Sequence, residues 1–154
     1  MSKDHNISIL LVEDNADDLE LTLHALRSNN LANSIEVARD GEEALDFFFC
    51  RGRFSGRGQH SQPSLVLLDL KLPKVDGLEV LRAIRNNPAT RTIPVVILTS
   101  SKEERDLVAG YQLGVNSYIQ KPVDFNQFRD TVKQLGLYWL VVNQAPPAVA
   151  QGVA

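Results

Sequence analysis

Four apolar runs in this chain each end on residues that can do chemistry. Ser64 to Leu68 leads into Asp69, Ile7 to Val12 into Glu13-Asp14, Ile93 to Leu98 into Thr99-Ser100, and Ser117 to Gln120 into Lys121-Pro122. Three carboxylates cannot share one cleft unaided, because two unit charges about 4 Å apart repel by about 4 kcal/mol at an effective dielectric of about 20. Lys121 offsets part of that repulsion, and a hard divalent cation is the natural remainder. Mg²⁺ fits, since it takes oxygen ligands in an octahedron and keeps positions for water and phosphate. Its candidate ligands are Asp14, Asp69, Glu13 directly or through water, and the backbone carbonyl of Lys71. An aspartate in that company is equipped for phosphoryl transfer. Asp69 would act as nucleophile, Mg²⁺ and Lys121 would neutralise the equatorial oxygens, and Thr99 would donate a hydrogen bond.

The elements that must position these groups alternate five times between strand-like and helix-like patterns. Ser64 to Asp69 has the continuous apolar character of a central parallel strand buried on both faces. Ile35 to Ala38 is a shorter strand. Leu19, Leu23 and Leu26 mark a helix over Asp17–Arg27, and Ala44, Leu45, Phe48 and Phe49 mark another over Gly41–Phe49. Further helices are expected over Gly77–Arg85, over Lys102–Gln112, and from Asp124, which can cap its helix with Gln127 at the capping-box position. Five βα repeats with short connections predict a flavodoxin-like, doubly wound, five-stranded parallel sheet of order 2-1-3-4-5. In that order strands 1 and 3 adjoin at the switch point, so Glu13, Asp14 and Asp69 meet at the edge where such sheets bind ligands.

Bulk properties narrow the class. At 154 residues and 17.1 kDa the chain is one domain with a full core, and 44% hydrophobic with 23% charged residues is ordinary for a water-soluble fold. A net charge of −3 gives no basic face, which argues against a nucleic-acid partner. No apolar run is long enough to cross a bilayer, and the N-terminus has no signal region, so a cytoplasmic protein without membrane association is expected. Cys50 is the single cysteine and reads as a small apolar helix residue. His5, His24 and His60 have no metal-ligand spacing.

The acidic pair Glu13-Asp14, Asp69, Leu72-Pro73 followed by Asp76-Gly77, Thr99-Ser100, Tyr118 and Lys121-Pro122 together resemble the receiver domain of two-component response regulators. The likeness spans about residues 7 to 142, and residues 1–143 are read as the receiver domain. It implies that Asp69 accepts a phosphoryl group from a sensor histidine kinase, that the chain itself catalyses the transfer, and that the Lys121–Pro122 bond is cis. It also implies a switch. Thr99 is drawn toward the phosphoryl group, Tyr118 rotates into the vacated space, and the face made by the Lys102–Gln112 helix, the Ser117–Gln120 strand and the helix from Asp124 changes its binding properties. Lys71 and Ser101 flank the path of a hydrolytic water and suit its orientation poorly, which predicts slow to moderate self-dephosphorylation.

Three segments extend this reading. Phe125, Phe128, Val132, Leu135, Trp139 and Val142 fall on one helical stripe, yet Leu137 to Val142 is apolar all round, which predicts a homodimer interface including Tyr138, Trp139 and Leu140. Arg51 to Gln62, rich in Gly, Ser and Arg, reads as a mobile surface loop whose three arginines could meet an acidic partner. Residues 144–154, with Pro146-Pro147, read as a disordered tail, and the chain is expected to act without an output domain. The long loop and the Tyr-Trp pair are similar to single-domain receivers paired with phytochrome kinases. The competing readings are weaker. A haloacid-dehalogenase-like phosphatase would want an acid at Lys71, and a flavodoxin would want a phosphate loop where Glu13-Asp14-Asn15 stands. An unphosphorylated pseudo-receiver would not require the complete acid, Thr and Lys set.

Overall fold

The computed structural model describes residues 8–27, 34–57, 62–100, 102, 104, 105 and 112–137. Five strands, β1 (Ser8–Val12), β2 (Ser34–Ala38), β3 (Leu65–Asp69), β4 (Val95–Thr99) and β5 (Ser117–Gln120), form one sheet in the order β2-β1-β3-β4-β5. All four pairings are parallel, as expected from the βα alternation. Helices α1 (Ala16–Arg27) and α4 (Phe125–Gln134) pack on one face, α2 (Gly41–Phe49) and α3 (Gly77–Asn86) on the other.

The strands sort their side chains with a period of two. Leu10, Val12, Val66, Leu68, Val95 and Ile97 meet α2 and α3 through Phe47, Phe48, Leu81 and Ile84. Ile9, Leu11, Leu65, Leu67, Val96 and Leu98 meet α1 and α4 through Leu26, Phe128 and Val132. Every residue of β3 and β4 is buried, which explains the unbroken apolar runs read in the sequence.

Each of α1 to α4 begins at the carboxyl edge of the sheet on a side-chain cap. Asn15, Asp40, Asp76 and Asp124 accept the amide of the third helical residue at 2.9, 2.8, 3.0 and 2.8 Å. Such caps satisfy amides that the helix leaves unpaired. At Asp124 only half of the expected capping box forms. The Gln127 amide bonds to Asp124, whereas its side-chain oxygen accepts the Gln120 amide at 3.2 Å and ties α4 to the end of β5.

Four expectations need correction or lie elsewhere. The helix that carries the apolar stripe ends at Gln134, before the stripe's last members Trp139 and Val142, which lie outside the described residues. Gly136, at φ 76°, ends it, with its own N–H bonded to Lys133 O at 3.1 Å and the Leu137 N–H to Val132 O at 2.7 Å. That double bond pattern is a Schellman stop, which favours glycine. Tyr138, Trp139, Leu140 and the tail lie outside the described residues, as does most of the Lys102–Gln112 segment, although Lys102, Glu104 and Arg105 are helical. Cys50 is no helix residue but the cap after α2, at φ 56°. The arginine loop is docked rather than free in its described part. Arg57 stacks 3.8 Å from the Phe47 ring centroid, Arg53 pairs with Glu36 and Glu43, Arg51 pairs with Asp46, and Phe54 is buried.

Gly77 starts α3 directly against the strand end that carries Asp69. A Cβ at Gly77 would lie 2.3 Å from the Asp69 carbonyl oxygen and 2.6 Å from Leu70 Cα, both backbone atoms that cannot yield cheaply. Gly77→Ala is therefore expected to cost about 1–3 kcal/mol in urea unfolding, the range for overpacking. Gly56→Ala, which meets nothing within 4 Å, should leave the midpoint within about 0.5 kcal/mol of the parent.

Candidate metal and phosphoryl site

The strand order brings the expected groups together. Glu13 and Asp14 leave β1, Asp69 ends the adjoining β3, and Thr99 ends β4. Lys121 follows β5, beginning the cis Lys121–Pro122 peptide, with its N–H bonded to Thr99 O at 2.9 Å. Its ammonium is the hub. The Lys121 Nζ lies 3.0 Å from Glu13 Oε1, 3.0 Å from Asp18 Oδ2 and 3.1 Å from Asp69 Oδ2. Glu13 is fully buried and the Asp69 residue only 5% exposed, so this cation stabilises charges that have lost most of their water.

Electrostatics follow from that crowding. Burial, reinforced by the Asp69 charge, pushes the Glu13 carboxyl up to about 7 despite the pull of Lys121. For Lys121 burial works the other way, but hydrogen bonds and charges from Asp18, Asp69 and Glu13 outweigh it and hold the ammonium above the ordinary lysine range. The lysine stays charged, and the site still carries surplus negative charge. Oxygens of Glu13, Asp14 and Asp69 lie within 4.8 Å of one another. An all-oxygen donor set of this size, with one buried ammonium to balance it, suits a hard divalent cation.

Thr99 and Lys71 both meet Glu104 at the rim of this cluster. Thr99 is 2% exposed, and its hydroxyl donates to Glu104 Oε1. The Lys71 N–H donates to Asp69 Oδ1 at 3.3 Å, while its ammonium lies 3.0 Å from Glu104 Oε2. Tyr118 is half-buried against the α2–α3 side of the core, and its hydroxyl donates to Arg105 O at 3.4 Å. Ser101 lies outside the described residues.

Two site residues were not anticipated. Asp18 sits in the first turn of α1, where an acid ordinarily serves the helix dipole, and its spacing of four from Asp14 was the available signal. Glu104 reads in sequence as a solvated helix charge. Only the folded chain brings it back over Thr99 and Lys71.

A doubly wound α/β domain with an acidic, lysine-centred pocket at its switch point is the class that fold and site define. A family model described as the response regulator receiver domain matches residues 9–133, and the chain belongs to that family. Among solved structures it is similar to the bacteriophytochrome response regulator AtBRR, at 55% identity and a TM-score of 0.82, covering 90% of this chain and 98% of that one. It is 38% identical over 140 residues to response regulator Rcp1 of Synechocystis sp., covering 91% of this chain and 93% of Rcp1. The Mn²⁺-bound form of Rcp1 superposes with a TM-score of 0.70 at 37% identity, covering 91% and 99% of the two chains. The probable methanogenesis regulatory protein FilR2 of Methanothrix harundinacea is 44% identical over 138 residues, covering 90% of this chain and 86% of FilR2. The expected likeness to phytochrome-associated response regulators is thus borne out. No helix among the described residues is long and apolar enough to cross a membrane.

The raised Glu13 carboxyl makes cation binding pH-dependent, with a definite sign. Below about 7 Glu13 holds a proton that a divalent cation must displace. Mg²⁺ or Mn²⁺ affinity measured by calorimetry is expected to be about tenfold weaker at about pH 6 than at about pH 8, with proton release on binding between them. Glu13→Gln should flatten that dependence.

Proposed function

We propose that this chain is a phosphoacceptor switch in which Asp69 accepts a phosphoryl group from a sensor histidine kinase. The observation that carries the reading is the Lys121 ammonium, 3.1 Å from Asp69 Oδ2 at the carboxyl edge of the sheet. In the step proposed, an Asp69 carboxylate oxygen attacks phosphorus as the P–N bond of a phosphohistidine breaks. The electron pair of that bond leaves with the imidazole, and an acyl phosphate forms. Lys121 holds the carboxylate in place and neutralises charge growing on the phosphoryl oxygens, while the buried strand end keeps bulk water to one side. Glu13, Asp14, Asp69 and the Lys71 carbonyl are the proposed ligands of Mg²⁺, which when bound supplies the remaining neutralising charge. With these groups the chain catalyses its own phosphorylation and dephosphorylation. It modifies no external substrate.

Residues 1–143 form the proposed receiver unit, and the protein is proposed to be cytoplasmic. Similarity to AtBRR, a bacteriophytochrome response regulator, supports a phytochrome-type kinase as the upstream partner. The output is a change in the face formed by the Lys102–Gln112 segment, β5 and α4. Thr99 and Tyr118 carry the change, and a homodimer built through that face and Tyr138–Leu140 is the proposed assembly. Decay of the phosphorylated form is proposed to be slow to moderate, since the Lys71 side chain is engaged by Glu104 and is a poor group to orient water.

Intact mass after incubation with acetyl phosphate tests the reading. One phosphoryl increment is expected on the parent chain with Mg²⁺, none without Mg²⁺, and none on Asp69→Asn. If the parent gains no increment and also fails to bind beryllofluoride, the chain is a constitutive interaction module instead.

A further inference from the structure

Glu104 has been given no part in the phosphoryl chemistry above, yet it lines the same cleft as Asp14, Asp18, Asp69, Lys71 and Lys121. Its side chain is 14% exposed. One carboxylate oxygen accepts the Thr99 hydroxyl, and the other lies 3.0 Å from Lys71 Nζ. Burial alone would raise the Glu104 carboxyl, but the Thr99 and Lys71 contacts outweigh it and hold it below the usual range, so the group is an anion at neutral pH. An anion in a phosphoryl cleft, bound by a hydroxyl and an ammonium, has the chemistry of the ligand that the cleft would receive.

We propose that Glu104 is an internal competitor for the phosphoryl group, a positioning residue that withholds Thr99 and Lys71 until phosphorylation displaces it. This inference rests on the reading of Asp69 as phosphoacceptor. Threonine has a single hydroxyl proton to donate, and here Glu104 has it. A phosphoryl oxygen on Asp69 obtains that hydrogen bond only by taking it from Glu104. Lys71 links the two positions, since its N–H bonds to Asp69 Oδ1 at 3.3 Å while its ammonium holds Glu104. A second anion in the cleft also repels the first, and so close a pair is only partly screened.

Displacement has a built-in reporter. The next residue, Arg105, accepts the Tyr118 hydroxyl on its carbonyl at 3.4 Å and sets its guanidinium 5.4 Å from the Tyr118 ring centroid. A displacement of Glu104 that carries its peptide along is therefore felt at the carbonyl that anchors Tyr118. The coupling is a two-state exchange of one anion for another, read out one residue away.

The test is beryllofluoride affinity of the full chain at saturating Mg²⁺, for the parent, Glu104→Gln and Glu104→Ala. Glu104→Ala should bind about tenfold tighter, the order expected from freeing one charge-assisted hydrogen bond. Glu104→Gln retains an acceptor for Thr99 but loses the charge, and should fall between the two. Mg²⁺ affinity without beryllofluoride and the urea midpoint are measured beside it, and competition is read as the gain in beryllofluoride affinity beyond any change in those two. In fluorotyrosine-labelled Glu104→Ala, the fluorine resonance that Tyr118→Phe removes should shift toward its beryllofluoride-bound position before any is added. If the parent binds beryllofluoride and neither variant binds it more tightly, Glu104 is no competitor and the inference falls alone. If the parent binds none, the phosphoacceptor reading falls and takes this inference with it.

Discussion

One buried ammonium holds the functional edge of this protein together. Lys121 reaches three carboxylates at 3.0, 3.0 and 3.1 Å, from three different elements of the chain. Removing a single partner from such a cluster leaves an uncompensated buried charge, which costs several kcal/mol. The sheet order follows the same constraint from the other side. With β1 and β3 adjacent and β4 and β5 beyond them, a lysine after β5 must reach back across the edge, and its length allows that. Two close backbone approaches, at Gly41 and Gly77, bring α2 and α3 hard against the edge and keep it narrow.

A second polar network stands beside the first and shares Asp69 with it. Lys71 contacts Asp69 through its backbone and Glu104 through its side chain, and Glu104 in turn holds Thr99. The two networks differ in burial. The Lys121 side chain is 13% exposed, whereas the Lys71 side chain is 78% exposed and solvent weakens its pairing. The Glu104 side is therefore the less firmly held of the two. That asymmetry divides the edge into a buried, firmly held half and a solvent-facing half.

The far end of that segment is held. Arg85 on α3 donates to Leu113 O, Gly114 O, Arg91 O, Ile93 O and Asn116 Oδ1, at 2.7 to 3.1 Å. Asn116 Oδ1 also accepts the Val95 amide at 2.8 Å, so one guanidinium fixes the approach to β5 against the start of β4. The chain between Thr99 and Leu113 is thus pinned at both ends by side-chain hydrogen bonds. Glu104 sits near its start and is bonded there to Thr99.

How much of this was readable without coordinates depends on the range over which each signal acts. Strand ends, helix starts and sheet order follow from local rules such as apolar runs, caps and short βα connections, so Asp69 ends β3, α2 spans Gly41–Phe49 and β5 spans Ser117–Gln120 as read. Gly136 is a local helix stop, and an apolar stripe continued past it carries no signal strong enough to keep the helix going. The Arg51–Gln62 loop had the composition of a free loop, but stacking on Phe47 and pairing with Glu36, Glu43 and Asp46 are contacts to other elements that composition does not record. Asp18 and Glu104 belong to the same class. Each is an ordinary helix-turn acid along the chain, and only packing of helix against sheet turns one toward Lys121 and the other toward Thr99. The sequence by itself therefore determined the fold and which chemistry-bearing residues stand at its edge, because those follow from periodicity and connection length. Tertiary structure decided which of them touch, because a hydrogen bond depends on ångström-scale distances between elements that no local pattern encodes.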